Sequence, residues 1–307
     1  MIERRHLLSL GLGAGAAMAF PSLARAVPDL SKLKTRDAGK VEVVYKTPHG
    51  KPNGLDITAE GMWVMDQGVE NYISVINPVT GKLIREFLPE GVMSASGVGV
   101  DTDGSVWIGS TYNRLIIQVD GKTGKLIQKY STPGAGQIYR TRWDQAGGRT
   151  PLQPAYPAPP PPPPDPNRPT GRRGAGPQDA TTMEGPAGTG AHCVLPKGDL
   201  LYVAVPPARM IYAIDKKSWI VQDMFFTAGD RPHDFTWANA EKTHIWASDS
   251  NMNAFFLQDV RTGEMTERVQ LPANSPIIHG AKLILSGPGA GYMYYCDDVG
   301  WMCRFKM

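Results

Sequence analysis

The sequence predicts an all-β fold, a single β-propeller with six blades as the best count and five to seven as the range. Three observations lead there. A unit of short strands returns in phase at Asn53, Ser96, His192, His233 and His279, with steps of 43, 41 and 46 residues wherever two clear copies adjoin. Each unit carries a short apolar strand, an Asp/Gly/Lys turn, a strand with Trp or Tyr, a polar loop, a third strand ending near Asp or Asn, a Thr-Gly turn and a last strand, which is the grammar of a propeller blade. The 34 glycines and 27 prolines among 307 residues suit many tight turns and oppose long helices.

The chain opens with a leader over 1–26. Arg4 and Arg5 precede an apolar stretch from Leu7 to Phe20 and a small-residue end at Ala24-Arg25-Ala26. That layout is an export signal, and the paired arginines resemble a twin-arginine (Tat) signal. The expected location is periplasmic or secreted, by the Tat route. The apolar run is too short and too rich in Gly and Ala for a stable membrane anchor. A formal charge of +3, part of it in the leader, argues against a nucleic-acid partner.

Residues 27–40 read as a linker and 41–307 as the propeller. Val41 to Thr47, VEVVYKT, is a strand without its own blade, whereas the last unit, ending at Met307, lacks an outer strand. Joining the two closes the ring and removes its exposed edges. Units one and two follow from Asn53 and Ser96. A first strand of a sixth unit is then expected near Ile138, but a Pro/Gly-rich insertion at about 145–189, with six prolines from Pro159 to Pro164, interrupts the pattern. The insertion reads as a lid or an arm for a protein partner, or as a passive surface segment. The last three units run from His192, His233 and His279. Cys296 and Cys303 flank a hairpin turn in YMYYCDDVGWMCRF and face each other as a disulfide in one register and stay reduced in another.

The motifs PHGKPNGLDITAEGMWVMD, SGVGVDTDGSVWIGS, the blade ends NPVTGKLIREF and DGKTGKLIQKY, and the entries at His192 and His233 make the chain similar to the streptogramin B lyase (virginiamycin B lyase) group, within the NHL and SMP-30 propellers. The resemblance covers roughly 41–130 and 190–307. It implies that a His and an acidic residue of the C-terminal blades act with a Mg ion. Matched by blade position, His279 with Asp297, or His233 with Asp249, takes those roles, with Asp standing where the group has Glu.

The residues themselves point the same way. His49, His192, His233 and His279 lie at or just before the first strand of a unit, so blade symmetry carries them towards one end of one channel. Converging neutral imidazoles hold a divalent metal or relay a proton. The expected ligands are His192, His233 and His279, for Mg, Mn, Fe or Zn. Asp66, Asp249 and Asp297 each close a second strand on the same face, as catalytic carboxylates or as turn caps. Asn53, Asn251, Tyr139 and Arg140 complete the expected channel mouth. Three functions stay open: a metal-assisted lyase eliminating a C–O bond from a small molecule, an SMP-30-like lactonase or other hydrolase, and a binding propeller without catalysis.

Overall fold

The computed structural model describes residues 28–135, 189–229 and 231–307. After a short 3-10 turn at Leu30–Lys32 come β1 (Lys34–Asp37) and β2 (Glu42–Lys46). Blade 1 is β3 (Pro52–Ile57), β4 (Met62–Asp66), β5 (Ile73–Ile76) and β6 (Leu83–Phe87); blade 2 is β7 (Gly97–Val100), β8 (Ser105–Ser110), β9 (Leu115–Asp120) and β10 (Leu126–Ser131). Blade 3 is β11 (Cys193–Lys197), β12 (Leu200–Val205), β13 (Met210–Asp215) and β14 (Val221–Phe226). Blade 4 holds β15 (Pro232–Trp237), β16 (His244–Asp249), β17 (Ala254–Asp259) and β18 (Met265–Gln270), and blade 5 holds β19 (Ala281–Leu283), β20 (Tyr292–Cys296) and β21 (Trp301–Lys306).

Each blade is an antiparallel meander whose first strand lies on the axis. Its apolar alternation serves two neighbours, so the core is divided into five wedges, one per junction. Trp63 and Val75 meet Val98 and Ile117 between blades 1 and 2. Trp107 meets Leu201 and Val203 at the next junction, and Tyr202 and Phe225 meet Phe235 and Ile245 after that. Phe255 and Val269 meet Met293 and Phe305 between blades 4 and 5. Leu55 and Val64 meet Tyr294 and Met302 to complete the circle.

Five blades therefore close the ring, at the low end of the expected range and one short of the best count. The axial strands approach to backbone contact because glycine faces the neighbour. A Cβ on Gly54 would stand 2.5 Å from the Ser96 carbonyl oxygen, and one on Gly97 would stand 2.8 Å from Cys193 Cα. Blade 2 thus abuts blade 3 directly, with no room for a blade between them. The sixth unit expected from Ile138, the insertion, and Tyr139 and Arg140 all lie outside the described residues, as does the leader.

β2 completes blade 5, pairing antiparallel with β21 as Glu42↔Arg304 through Lys46↔Trp301. The Arg304 guanidinium reaches Glu42 at 3.0 Å across that seam. Within the stretch read as a linker, β1 adds a fifth strand to blade 4, parallel to β18, and Arg36 pairs with Glu267 at 2.6 Å. Just ahead of it, Leu30 is fully buried against Met252, Phe256 and Met265. The chain thus straps blade 4 before it closes blade 5.

The disulfide reading is corrected. In the β20–β21 ladder Cys296 faces Met302, and Cys303 faces Tyr295. That one-residue offset puts the thiols on opposite faces of the sheet, Cys296 against blade 1 and Cys303 against blade 4, and both are free and buried.

The blade-end turns show how regular the local chemistry is. Asp120 accepts from the amides of Lys122 and Thr123, Asp259 from those of Arg261 and Thr262, and Gly124 and Gly263 end the turns at positive φ. Blade 3 places Trp219 at that position, with φ 57°. Its indole stacks on Tyr130 of blade 2 at 3.8 Å, a contact that offsets the strain of a left-handed non-glycine residue.

Candidate functional site

Five residues occupy one equivalent position, the entry of the axial strand: Asn53, Ser96, His192, His233 and His279. In blades 2, 3 and 5 the entry amide donates to the second strand, Ser96 to Gly109, His192 to Ala204 and His279 to Cys296. In blades 1 and 4 a proline, Pro52 or Pro232, has no amide hydrogen to give, and the register slips at once, so Asn53 and His233 ride on bulges. The circle is continuous. Imidazole centroids are 4.9 Å apart for His192 and His233 and 4.3 Å apart for His233 and His279, both pairs edge to face. A Cβ on Gly280, next to His279, would stand 2.9 Å from the carbonyl carbon of Gly54, and Gly54 in turn touches Ser96.

This ring is polar, buried and short of partners. His233 and Asn53 are 2% and 4% exposed. Part of His192 reaches solvent, but both of its ring nitrogens are buried. Among the described residues, His192 Nδ1 and Nε2, His233 Nδ1 and Asn53 Oδ1 have no hydrogen-bond partner. Each orphan costs about 1–3 kcal/mol, so four on one circle call for an occupant. Burial first, then the nearby Arg231 charge and His279, holds His192 down at about 3, against an ordinary 6.5. Burial, with His279, His192 and Arg231, holds His233 well below its ordinary value. Both imidazoles are neutral throughout the physiological range, the state in which a ring nitrogen offers a lone pair. As placed, the rings form an edge-to-face run: among the described residues no three His, Cys, Asp or Glu side chains are gathered to hold a metal ion.

The other expected residues sit apart from this circle or are committed elsewhere. His49 bonds Glu86 on an outer strand at 2.8 Å and stacks on Tyr72. Asp66 caps its turn, accepting from the Lys51 and Gly68 amides at 2.7 Å each. Asp249 does the same for Arg231, Asn251 and Met252, and Asn251 itself is exposed. Asp297 Oδ1 accepts from Val299 and Trp301, and burial lifts its carboxyl to about 6. His244 faces outward beside Thr243 and Asp259.

Sequence reading missed a second polar layer, one step along the same strands. Asp234 Oδ1 accepts from Cys193 Sγ at 2.7 Å, the Phe235 amide at 2.8 Å and Lys282 Nζ at 3.3 Å. Its Oδ2 accepts from the Ala281 and Leu55 amides, at 2.7 and 3.3 Å. Lys282 Nζ also donates to the Phe235 carbonyl at 2.7 Å. Both charged side chains are 1% exposed. Burial opposes the Lys282 charge most, but Asp234, Cys193 and Asp56 together outweigh it and keep the ammonium above its ordinary value. Blades 1, 3, 4 and 5 are bolted together at this carboxylate. The available signal was the charge that follows an entry residue inside an apolar strand, in HDF and HGAKL.

No protein family and no curated protein matches the sequence. Among solved structures, the Myxococcus xanthus glutaminyl cyclase superposes with a TM-score of 0.55 at 9% identity, over 89% of this chain and 97% of that one. This chain shares its β-propeller fold. A catalytically inactive virginiamycin B lyase from Staphylococcus aureus with quinupristin gives 0.43 at 14% identity, over 85% and 68% of the two chains. The Kuenenia stuttgartiensis hydrazine synthase gives 0.42 at 12% identity, over 81% and 56%. At these identities the likeness establishes architecture alone.

Proposed function

We propose that the protein is an exported propeller enzyme that eliminates a C–O bond from a small molecule at the axial ring, with His192, His233 and His279 holding a divalent metal. The observation that carries this reading is the set of buried, unpartnered nitrogens on neutral imidazoles. A ring nitrogen held near pKa 3 is a poor proton acceptor, which speaks against His192 as general base, but it keeps its lone pair for a metal without competition from protons. Loading requires the edge-to-face imidazoles to turn, and the His192 ring has no hydrogen bond among the described residues to break. A metal bound there supplies Lewis-acid polarisation of a carbonyl or of the leaving oxygen.

The proton falls to another group. Asp297 follows Cys296, whose carbonyl accepts the His279 amide, and its carboxyl, lifted to about 6, is matched to proton transfer near neutral pH. Asp249 stays a turn cap. The competing reading is a propeller that binds a small molecule without chemistry, and the edge-to-face, uncaged rings favour it.

Metal content of the purified mature protein and of His233→Ala and His279→Ala, read by elemental mass spectrometry, separates the two. The enzyme reading expects the parent to retain a divalent ion and both variants to lose most of it. Asp297→Asn is expected to keep the ion and lose turnover in a screen of small-molecule esters and ethers that carry a C–O bond open to elimination. A metal-free parent, or unchanged metal in both His variants, leaves the binding propeller.

A further inference from the structure

Blades 1, 4 and 5 each close the second strand with an aspartate, and two of the three use it alike. Asp66 gives one oxygen to its own turn, at the Gly68 amide, and the other to the loop that enters blade 1, at the Lys51 amide. Asp249 repeats the division: Oδ1 takes the Asn251 and Met252 amides of its turn, and Oδ2 takes the Arg231 amide of the entry loop. In both blades the residue so tied stands two before the entry and is basic, in Lys51-Pro52-Asn53 and Arg231-Pro232-His233. Blade 5 reads Ile277-Ile278-His279 instead. Asp297 Oδ1 takes the Val299 and Trp301 amides of its turn, but among the described residues no entry-loop amide reaches Oδ2 and no cation pairs with this buried carboxyl. Blade 4 holds the entry loop in its place: the Ile278 amide donates to Asn253 Oδ1 at 3.0 Å, and Ser250 Oγ donates to the Ile278 carbonyl at 2.6 Å. The carboxyl released in this way follows Cys296, whose carbonyl holds the His279 amide, and His279 packs on His233 in the circle where His192 Nδ1 and Nε2 and His233 Nδ1 lack partners among the described residues.

We propose that the axial site takes small molecules that carry an ammonium group and that the Asp297 carboxylate receives it, the ligand supplying the charge that Lys51 and Arg231 carry at the equivalent points of blades 1 and 4; this rests on the small-molecule reading of the ring and not on a metal. A buried carboxylate without a cation is costly, and an ammonium donating to Oδ2 removes that cost. An anion is disfavoured there, since Asp298 stands beside Asp297 and already raises its carboxyl. The far side of the ring has the opposite sign: the Arg231 charge is felt at both His192 and His233. A bound molecule is therefore oriented, its ammonium towards blade 5 and its electron-rich end towards blades 3 and 4. In the enzyme reading that orientation also sets the carbon beside the ammonium against the group that takes the proton.

Benzylamine and butylamine, each beside the uncharged alcohol of the same skeleton, are titrated against chelator-treated mature protein by ligand-observed NMR. The amines are expected to bind about ten-fold or more tighter than their alcohols. Asp297→Asn, whose Oδ1 still accepts from Val299 and Trp301, should weaken the amines about ten-fold or more and the alcohols less than about two-fold. Ile277→Lys, which restores the basic residue of blades 1 and 4, should do the same with Asp297 in place. Asp66→Asn removes a like charge from a carboxylate whose two oxygens are both engaged, and should leave amine binding within about two-fold of the parent. Melting temperatures run alongside show which variants are folded. Amines that bind no better than the alcohols overturn this inference and leave the small-molecule reading standing. Amine binding unmoved by Asp297→Asn, or by Ile277→Lys if the first variant does not fold, does the same. A parent that binds neither series overturns both, while metal content, measured as above, reads the metal independently.

Discussion

His192 precedes Cys193 and His233 precedes Asp234, so the ring and the bolt are neighbouring layers on the same strands, yet they are finished to different degrees. In the bolt, one carboxylate takes five donors from four blades and the ammonium opposite it donates twice. In the ring, four polar atoms are buried without a hydrogen-bond partner among the described residues. Burial is equal, so burial is not what tells structure from function. Satisfaction is: a paired buried charge stabilises one arrangement of its neighbours, whereas an unpaired polar atom costs stability until something arrives.

The largest expected effect breaks the bolt. Lys282→Met leaves the Asp234 carboxylate buried without its cation and should lower unfolding free energy by about 3–5 kcal/mol in denaturant titration. Adding Asp234→Leu should recover part of that loss, because the orphaned charge goes with it. A single variant that unfolds like the parent would show that the Asp234–Lys282 pair does not hold the blades together.

The ring should answer with the opposite sign. His192→Leu deletes two nitrogens without a partner among the described residues and is expected to stabilise the fold by up to about 2 kcal/mol, while abolishing the metal binding proposed for the ring. A loss as large as that of Lys282→Met would show that the ring, too, is structural.

The smallest effect is a slope with pH. His192 titrates near 3 when folded and at its ordinary 6.5 when unfolded, so between those values the unfolded chain binds the extra proton and stability falls as pH falls. Each such histidine adds up to about 1.4 kcal/mol per pH unit to that slope. Asp297 works the other way: its folded value of about 6, above the ordinary 3.8, adds stability as pH drops between them. Unfolding curves at several pH values in that window should therefore show a shallower acid limb in His192→Leu than in the parent, and equal limbs would contradict the burial of that imidazole.

The propeller was legible because each blade repeats its own punctuation, and the phase of that punctuation carries Asn53, His192, His233 and His279 to one circle. The blade count was not, because a long insertion keeps the rhythm of the sequence open while the angle per blade is set by axial contacts such as Gly54 against Ser96. His49 precedes the entry by four residues and so reaches the outer strand at Glu86. β1 gave no signal, since a parallel edge strand exposed on most of its length has no alternation to read. The Cys296–Cys303 pairing turned on a single step of register. The Asp234 bolt needed partners 41 and 48 residues away, which spacing cannot express.

The seam between β2 and β21 has a kinetic consequence. Glu42 and Arg304 bond across it although 262 positions separate them along the chain. Blade 5 cannot be completed until nearly the entire polypeptide is available, whatever the first four blades have done by then. The entropy of bringing such distant ends together grows only as the logarithm of their separation, but contacts of this range slow the search. Until that moment β21 offers a bare edge and β2 is an unpaired strand with Val43 outward, the two surfaces most prone to join the wrong chain. Ring closure is thus the last event of folding and the one at which copies of this protein compete with themselves, so crowding of half-folded chains, not weakness of any blade, should limit its yield.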